Sequence, residues 1–188
     1  MKKIIALVFC ILFLFTACSG ENGKKTEINQ DNYASYVGAS EMTLINILVN
    51  SNAKFVSEVF YGNHLAVDET KAIAKGGDTF APVVSDEYKT LADLKLHMES
   101  TYTKEVIQSI LGNPEKYVDI DGKLYFNMKY AETDYKTDWT SPVVSANIDA
   151  DGKYIINITV KNEKGKDIEI TASAVSENGS LKLENIYY

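Results

Sequence analysis

The chain has no arginine; all nineteen of its basic residues are lysine. A planar guanidinium that clasps phosphate or carboxylate through two parallel bonds is therefore excluded. Cysteine is nearly absent, with Cys10 and Cys18 the only two, so a disulfide framework of the small secreted kind cannot be built. His64 and His97 are the only histidines, and neither forms a His-x-x-x-His metal pair. No phosphate-binding glycine loop, dinucleotide fingerprint or Gly-x-Ser-x-Gly nucleophile elbow occurs. Asp149 and Asp151 flank a glycine turn too short for a full calcium loop, and turn formation explains them. The sequons at Asn157-Ile158-Thr159 and Asn178-Gly179-Ser180 are read as chance matches. Excess positive charge is also missing. The formal net charge is −7, which argues against nucleic acid and other polyanions. These absences point to a protein that is not an enzyme and needs neither cofactor nor metal.

Long hydrophobic runs are absent as well. The longest, Ile4 to Phe15, would rise only about 18 Å as a helix, short of a bilayer core of about 30 Å. It follows Met1-Lys2-Lys3 and has the character of a signal-peptide apolar region behind a basic start. Leu14-Phe15-Thr16-Ala17-Cys18-Ser19-Gly20 comes next. Small residues directly before a cysteine resemble the lipobox of bacterial lipoproteins, although Phe15 stands where leucine is commoner. The resemblance implies that the Cys18 thiol receives a diacylglycerol and that cleavage removes residues 1–17. The mature chain would then have 171 of the 188 residues and no free thiol. Without Lys2 and Lys3 its charge falls from −7 to −9. It would sit lipid-anchored on the extracytoplasmic face of the cell membrane, and a monomer is expected. Residues 18–39, polar and glycine-containing at first, read as a flexible tether.

Residues 40–188 read as one domain, of ordinary size. Ser40 is a candidate N-cap, with Glu41 in the first turn. Ile45, Leu48, Val49, Val56, Val59 and Phe60 mark one helical face. Gly62 would end that helix, and Asn50-Ser51-Asn52 leaves a break open. After an irregular stretch, Thr79 to Val84 reads as an edge strand because it carries Pro82. Thr90 with Asp93 forms a capping box for a helix bearing Leu91, Leu94, Met98 and Tyr102. Thr103 caps another with Val106, Ile107, Ile110 and Leu111, ended by Gly112-Asn113-Pro114. From Glu115 the apolar period becomes two. Leu124, Phe126, Met128 and Tyr130 share one face, and so do Tyr154, Ile156, Ile158 and Val160. Val144, Ala146 and Ile148 form a further set, as do Ile168, Ile170, Ala172 and Ala174. Asp121-Gly122, Asp151-Gly152, Lys164-Gly165 and Asn178-Gly179 are hairpin turns. The last strand, Leu181 to Tyr188, is expected to change face near Asn185 at a bulge. Helices followed by antiparallel strands make an α+β domain, with N-terminal helices packed on a C-terminal curled sheet in the manner of cystatin-like or NTF2-like folds.

Aromatic side chains are the one hint of a binding surface. Tyr125, Tyr130, Tyr135 and Trp139 cluster in sequence, and Tyr88 stands apart. Three segments carry a second resemblance: Leu91-Ala92-Asp93-Leu94, Tyr102-Thr103-Lys104-Glu105 and Asp121-Gly122-Lys123-Leu124-Tyr125. In this pattern the chain resembles the IseA-type inhibitors of cell-wall DL-endopeptidases, most specifically over residues 85–126. The resemblance implies an extracytoplasmic, non-enzymatic protein that plugs the active-site cleft of a peptidoglycan hydrolase. A cell-wall endopeptidase is then the expected partner, and Tyr130 to Ser141 the expected partner-facing segment. The alternative is an NTF2-like small-ligand carrier or enzyme, with Tyr88, Trp139 and an acidic residue converging in a pocket between helices and sheet.

Overall fold

A computed structural model describes residues 35–61, 63–112, 115–131 and 135–188. The expected leader, Cys18 as the expected lipid site and most of the expected tether lie outside the described residues, as do Gly62, Asn113 and Pro114.

Ordered structure starts before Ser40. Strand β1 (Ser35–Tyr36) pairs with Asn147 and Ile148, and helix α1 (Ala39–Lys54) follows at once. Its N-cap is Gly38 rather than Ser40. The Glu41 carboxylate accepts from the Gly38 amide at 2.7 Å and from the Tyr154 hydroxyl at 2.7 Å, satisfying one of the orphan donors of a helix start. Both bonds favour the ionised carboxyl and hold its pKa below the usual range, the tyrosine bond contributing most. No break occurs at Asn50 to Asn52. The helix instead widens afterwards into a π-helical turn, Phe55–Phe60.

Nine strands are described, in two antiparallel sheets. The five-stranded sheet has the order β1, β6 (Thr137–Ile148), β7 (Tyr154–Asn162), β8 (Asp167–Glu177), β9 (Ser180–Leu183). The four-stranded sheet has the order β2 (Ile73–Lys75), β3 (Asp78–Pro82), β5 (Lys123–Asn127), β4 (Tyr117–Ile120). The chain is α+β, with its helices packed on a curled antiparallel sheet, consistent with a cystatin-like or NTF2-like arrangement. Residues 34–188 form one compact unit. Among the described residues no helix is long and apolar enough to cross a membrane.

The alternations of β7 and β8 place Ile156, Ile158, Val160, Ala172 and Ala174 in the core, where Ile45, Leu48, Val49 and Val56 of the first helix meet them. Each fully buried Leu or Ile contributes on the order of 1.5–3 kcal/mol relative to exposure. Helix α2 (Leu91–Glu99) starts as its sequence predicts: the Thr90 hydroxyl accepts from the Asp93 amide at 3.2 Å, and the Asp93 carboxylate accepts from the Thr90 amide at 2.9 Å. Helix α3 (Lys104–Leu111) is capped by Thr103, whose hydroxyl accepts from the Val106 amide. At Gly112 the chain passes so close to the previous turn that a Cβ would lie 2.3 Å from the Gln108 carbonyl. The Asp121-Gly122 and Asn178-Gly179 turns have positive φ at both residues, the backbone a two-residue type I′ hairpin requires.

Three expectations need correction. Strand β3 is interior, not an edge, since it lies between β2 and β5. Its proline is accommodated because β2 pairs only as far as Phe80, and the next amide, of Val83, donates to Leu124 at 2.9 Å. Strand β5 stops at Asn127 instead of running to Tyr130. The Asn127 side-chain oxygen accepts from the Lys129 amide and starts a short 3₁₀ turn, Met128–Tyr130, so local side-chain bonding wins over continued pairing. The final strand ends at Leu183, and no bulge at Asn185 turns its face. There the Asn185 side chain accepts from the Ile186 amide, and the tail leaves the sheet.

Candidate functional site

Asn52 ties the C-terminal tail to the first helix. It is 1% exposed, in the middle of an apolar helix face. Its amide nitrogen donates to the Tyr187 carbonyl at 2.8 Å, and its oxygen accepts from the Tyr187 amide at 3.1 Å and the Tyr102 hydroxyl at 3.0 Å. A buried amide with its bonds made is stable; one left unmet costs about 1–3 kcal/mol. The Tyr187 hydroxyl accepts in turn from the Ser173 amide at 2.8 Å. These bonds hold the C-terminal tail against the first helix and the five-stranded sheet.

The next residue, Tyr188, therefore has a set position. Its ring stacks on Tyr61, with centroids 4.2 Å apart and planes 18° apart. Tyr61 is fixed from behind. It ends the π-helical turn, and its amide donates to the Val56 carbonyl at 2.9 Å. Carbonyls at and just beyond the end of that turn are met from the start of β4 and the residue before it: Tyr117 donates its hydroxyl to the Val59 carbonyl at 2.8 Å, and the Lys116 ammonium donates to the carbonyls of Phe60 and Asn63. Burial of Lys116 pulls its ammonium down to about 8.

Tyr135 lies 6.5 Å from Tyr61, ring centroid to ring centroid. The Trp139 indole donates to the Tyr135 hydroxyl. Trp139 points inward at 6% exposure because β6 shifts register between Asp138 and Val143. The Asp138 carboxylate accepts from the Thr140 amide at 2.9 Å and closes a tight turn inside that irregularity. Burial raises the hydroxyl pKa of both Tyr61 and Tyr135, and for Tyr61 the stacked Tyr188 adds to it. The result is a chain of four aromatics, from buried Trp139 through half-buried Tyr135 and Tyr61 to Tyr188 at 61% exposure. Such a graded cluster offers flat apolar area with polar tips, the composition favoured at protein interfaces.

Of the five aromatics singled out from sequence, only Tyr135 and Trp139 are brought together. Tyr130 donates its hydroxyl to Glu115 and lies under the Lys129 ammonium, 4.9 Å from the ring centre. Tyr125 lines an open groove of about 650 Å³ with Pro82, Val84, Lys89 and Lys123. Tyr88 is 3% exposed and meets His97 edge-on at 5.0 Å, beside Glu87 and Lys54; it shares no described contact with Trp139. Tyr61 and Tyr188 were missed. Gly62 beside one and the chain end beside the other concealed them, and no periodicity links residues 61 and 188.

The histidines are both engaged by neighbours. His64 stacks on Phe126 at 4.3 Å, with Nδ1 2.7 Å from the Leu65 carbonyl, and His97 Nδ1 lies 3.3 Å from Glu87. Among the described residues no group of three or more His, Cys, Asp or Glu side chains could hold a metal ion. Between helices and sheet, where an NTF2-like carrier would keep a ligand, Ile45, Val49, Met98, Tyr102, Ile156 and Ile158 are all 2% exposed or less. Set against models of protein families and against characterised proteins, the chain matches none of them.

Proposed function

We propose that the chain is a lipid-anchored extracytoplasmic binding protein that inhibits a cell-wall peptidoglycan endopeptidase. The observation that carries its location is the order Lys2-Lys3, Ile4 to Phe15, Thr16-Ala17-Cys18: a basic start, an apolar run too short to span, and small residues before one cysteine. The choice of partner follows the IseA-type resemblance of residues 85–126. The aromatic row of Tyr61, Tyr135, Trp139 and Tyr188 supports a protein partner, because rigid two-torsion aromatics give contact area at low entropic cost. The packed core between the helices and the five-stranded sheet supports this reading over a pocketed carrier.

The test is hydrolysis of peptidoglycan by an endopeptidase from the same cell, with the mature protein added at micromolar concentration. Dose-dependent loss of hydrolysis is expected. Tyr188→Ala should weaken it by at least about tenfold, the effect of removing one interface hot spot. Hydrolysis unchanged at saturating protein would refute the inhibitory role.

A further inference from the structure

We propose that the outer face of α1 is a membrane-docking surface, lying at the headgroup boundary while the chain is held by lipid at Cys18. The inference rests on the anchor proposed above. It starts from an anomaly in the first helix. The side of α1 opposite the core carries Leu44 and Ile47, 52% and 56% exposed, one turn apart on the same stripe. Tyr36, two residues before the Gly38 cap, is 100% exposed. Between Ala39 and Asn50 every exposed side chain is uncharged. Glu41, the one acid in that stretch, is turned to the Gly38 amide and the Tyr154 hydroxyl. In a chain that is 24% charged with a net charge of −7, a sixteen-residue surface helix with only Glu41 and Lys54 ionised is out of character.

Two arguments choose a membrane as the occupant. The first is reach. Sixteen residues separate Cys18 from Ser35, and a segment of that length reaches at most about 60 Å. Tyr36 lies at the start of the described chain, so a lipid on Cys18 would confine the beginning of α1 to within that distance of the bilayer. Ile47 is only about 12 Å along the helix from Ala39. The second is charge. Anionic headgroups repel acidic faces, and the uncharged stripe is a surface that can approach without that cost. A stripe of two aliphatic side chains one turn apart is too small for a stable protein interface. A tethered domain, however, needs only a weak second contact, because the tether already supplies a high local concentration.

The test uses the mature lipidated protein in vesicles of phosphatidylcholine mixed with phosphatidylglycerol. Cys10 would leave with the leader and Cys18 would be acylated, so Leu44→Cys, Ile47→Cys and Val143→Cys each introduce a single labelling site. All three positions are exposed, which spares the fold. Spin labels at 44 and 47 should collide several-fold more with oxygen, relative to a water-soluble nickel chelate, than the label at 143. Equal, water-like accessibility at all three positions in protein that floats with vesicles overturns the docking face and leaves the anchor standing. Dipolar broadening between labels at 44 on neighbouring copies assigns the face to self-association and also overturns it. Protein that does not float with vesicles overturns the anchor and the docking together.

Discussion

The packed centre and the aromatic row are built from different residues and held in different ways. In the centre, β7 and β8 meet the first helix through aliphatic side chains, and Ile45, Val49 and Ile156 are within 1% of complete burial. Redundant dispersion contacts and water exclusion hold them. At the aromatic row the rings of Tyr61 and Tyr188 stack, and directional bonds made by Asn52, Lys116 and Tyr117 hold the segments that carry them. The contrast teaches that a single buried amide, Asn52, sets where Tyr188 stands, while the hydrophobic pattern sets the centre.

Breaking that amide should give the largest effect. Asn52→Ala leaves the Tyr102 hydroxyl and both backbone groups of Tyr187 without their partner. A loss of about 3 kcal/mol is expected, the range for a disrupted buried hydrogen-bond network, or roughly 6–12 °C in Tm for a domain of this size. Inhibition should fall with it, even at temperatures where the variant is folded, because Tyr188 is released. Thermal unfolding and the hydrolysis assay read the two losses separately.

Thr90→Ala tests the other side of the comparison, a helix start remote from the aromatic row. It should cost about 1 kcal/mol, as for other lost threonine caps, with inhibition unchanged. If inhibition falls in proportion to stability for both variants, the positional role of Asn52 is wrong.

Lys116 gives a pH signature of similar or smaller size. Burial depresses its folded pKa to about 8 from 10.5. Below pH 8 the ammonium is charged in both folded and unfolded states, and the full burial penalty is present. Between about 8 and 10.5 the unfolded chain binds more protons, so stability rises with pH. The rise should be about 1 kcal/mol once solvent screening of this partly exposed side chain is allowed for. Above pH 10 the buried hydroxyls of Tyr102 and Tyr117, whose pKa values burial raises, act in the opposite direction. Urea titrations at pH 7.5 and 9.5 therefore isolate the lysine, and Lys116→Met should flatten the difference.

The smallest stability change is expected for Tyr188→Ala, within about 0.5 kcal/mol as for other surface substitutions. Its effect belongs almost wholly to inhibition. A large loss of stability would mean that the exposed ring is structural.

Much of the architecture could be read from sequence because it is written locally. Thr90 and Asp93 are three residues apart, Asp121-Gly122 and Asn178-Gly179 are adjacent, and the alternation in β7 and β8 repeats over whole strands. What escaped was written at long range. Asn52 looked like a helix weakener because its partners are Tyr102 and the distant Tyr187. Asn127 falls inside the alternating stretch of Leu124 to Tyr130, yet its side chain reaches Asp78, the Glu115 carbonyl and the Lys129 amide, and the pairing ends there. The division into two sheets also escaped, since alternation tells which face is apolar and not which strands are neighbours. At the candidate site, Tyr135 and Trp139 were visible because they are four residues apart. Tyr61 and Tyr188 join them only through the fold.

The proposed function depends first on location, and intact mass spectrometry of the protein extracted from its own membranes tests that directly. The account predicts a chain that begins at Cys18, lacks residues 1–17 and carries the added mass of a diacylglycerol on that residue. A chain retaining Lys2 and Lys3, or one beginning near Cys18 with an unmodified thiol, would contradict it.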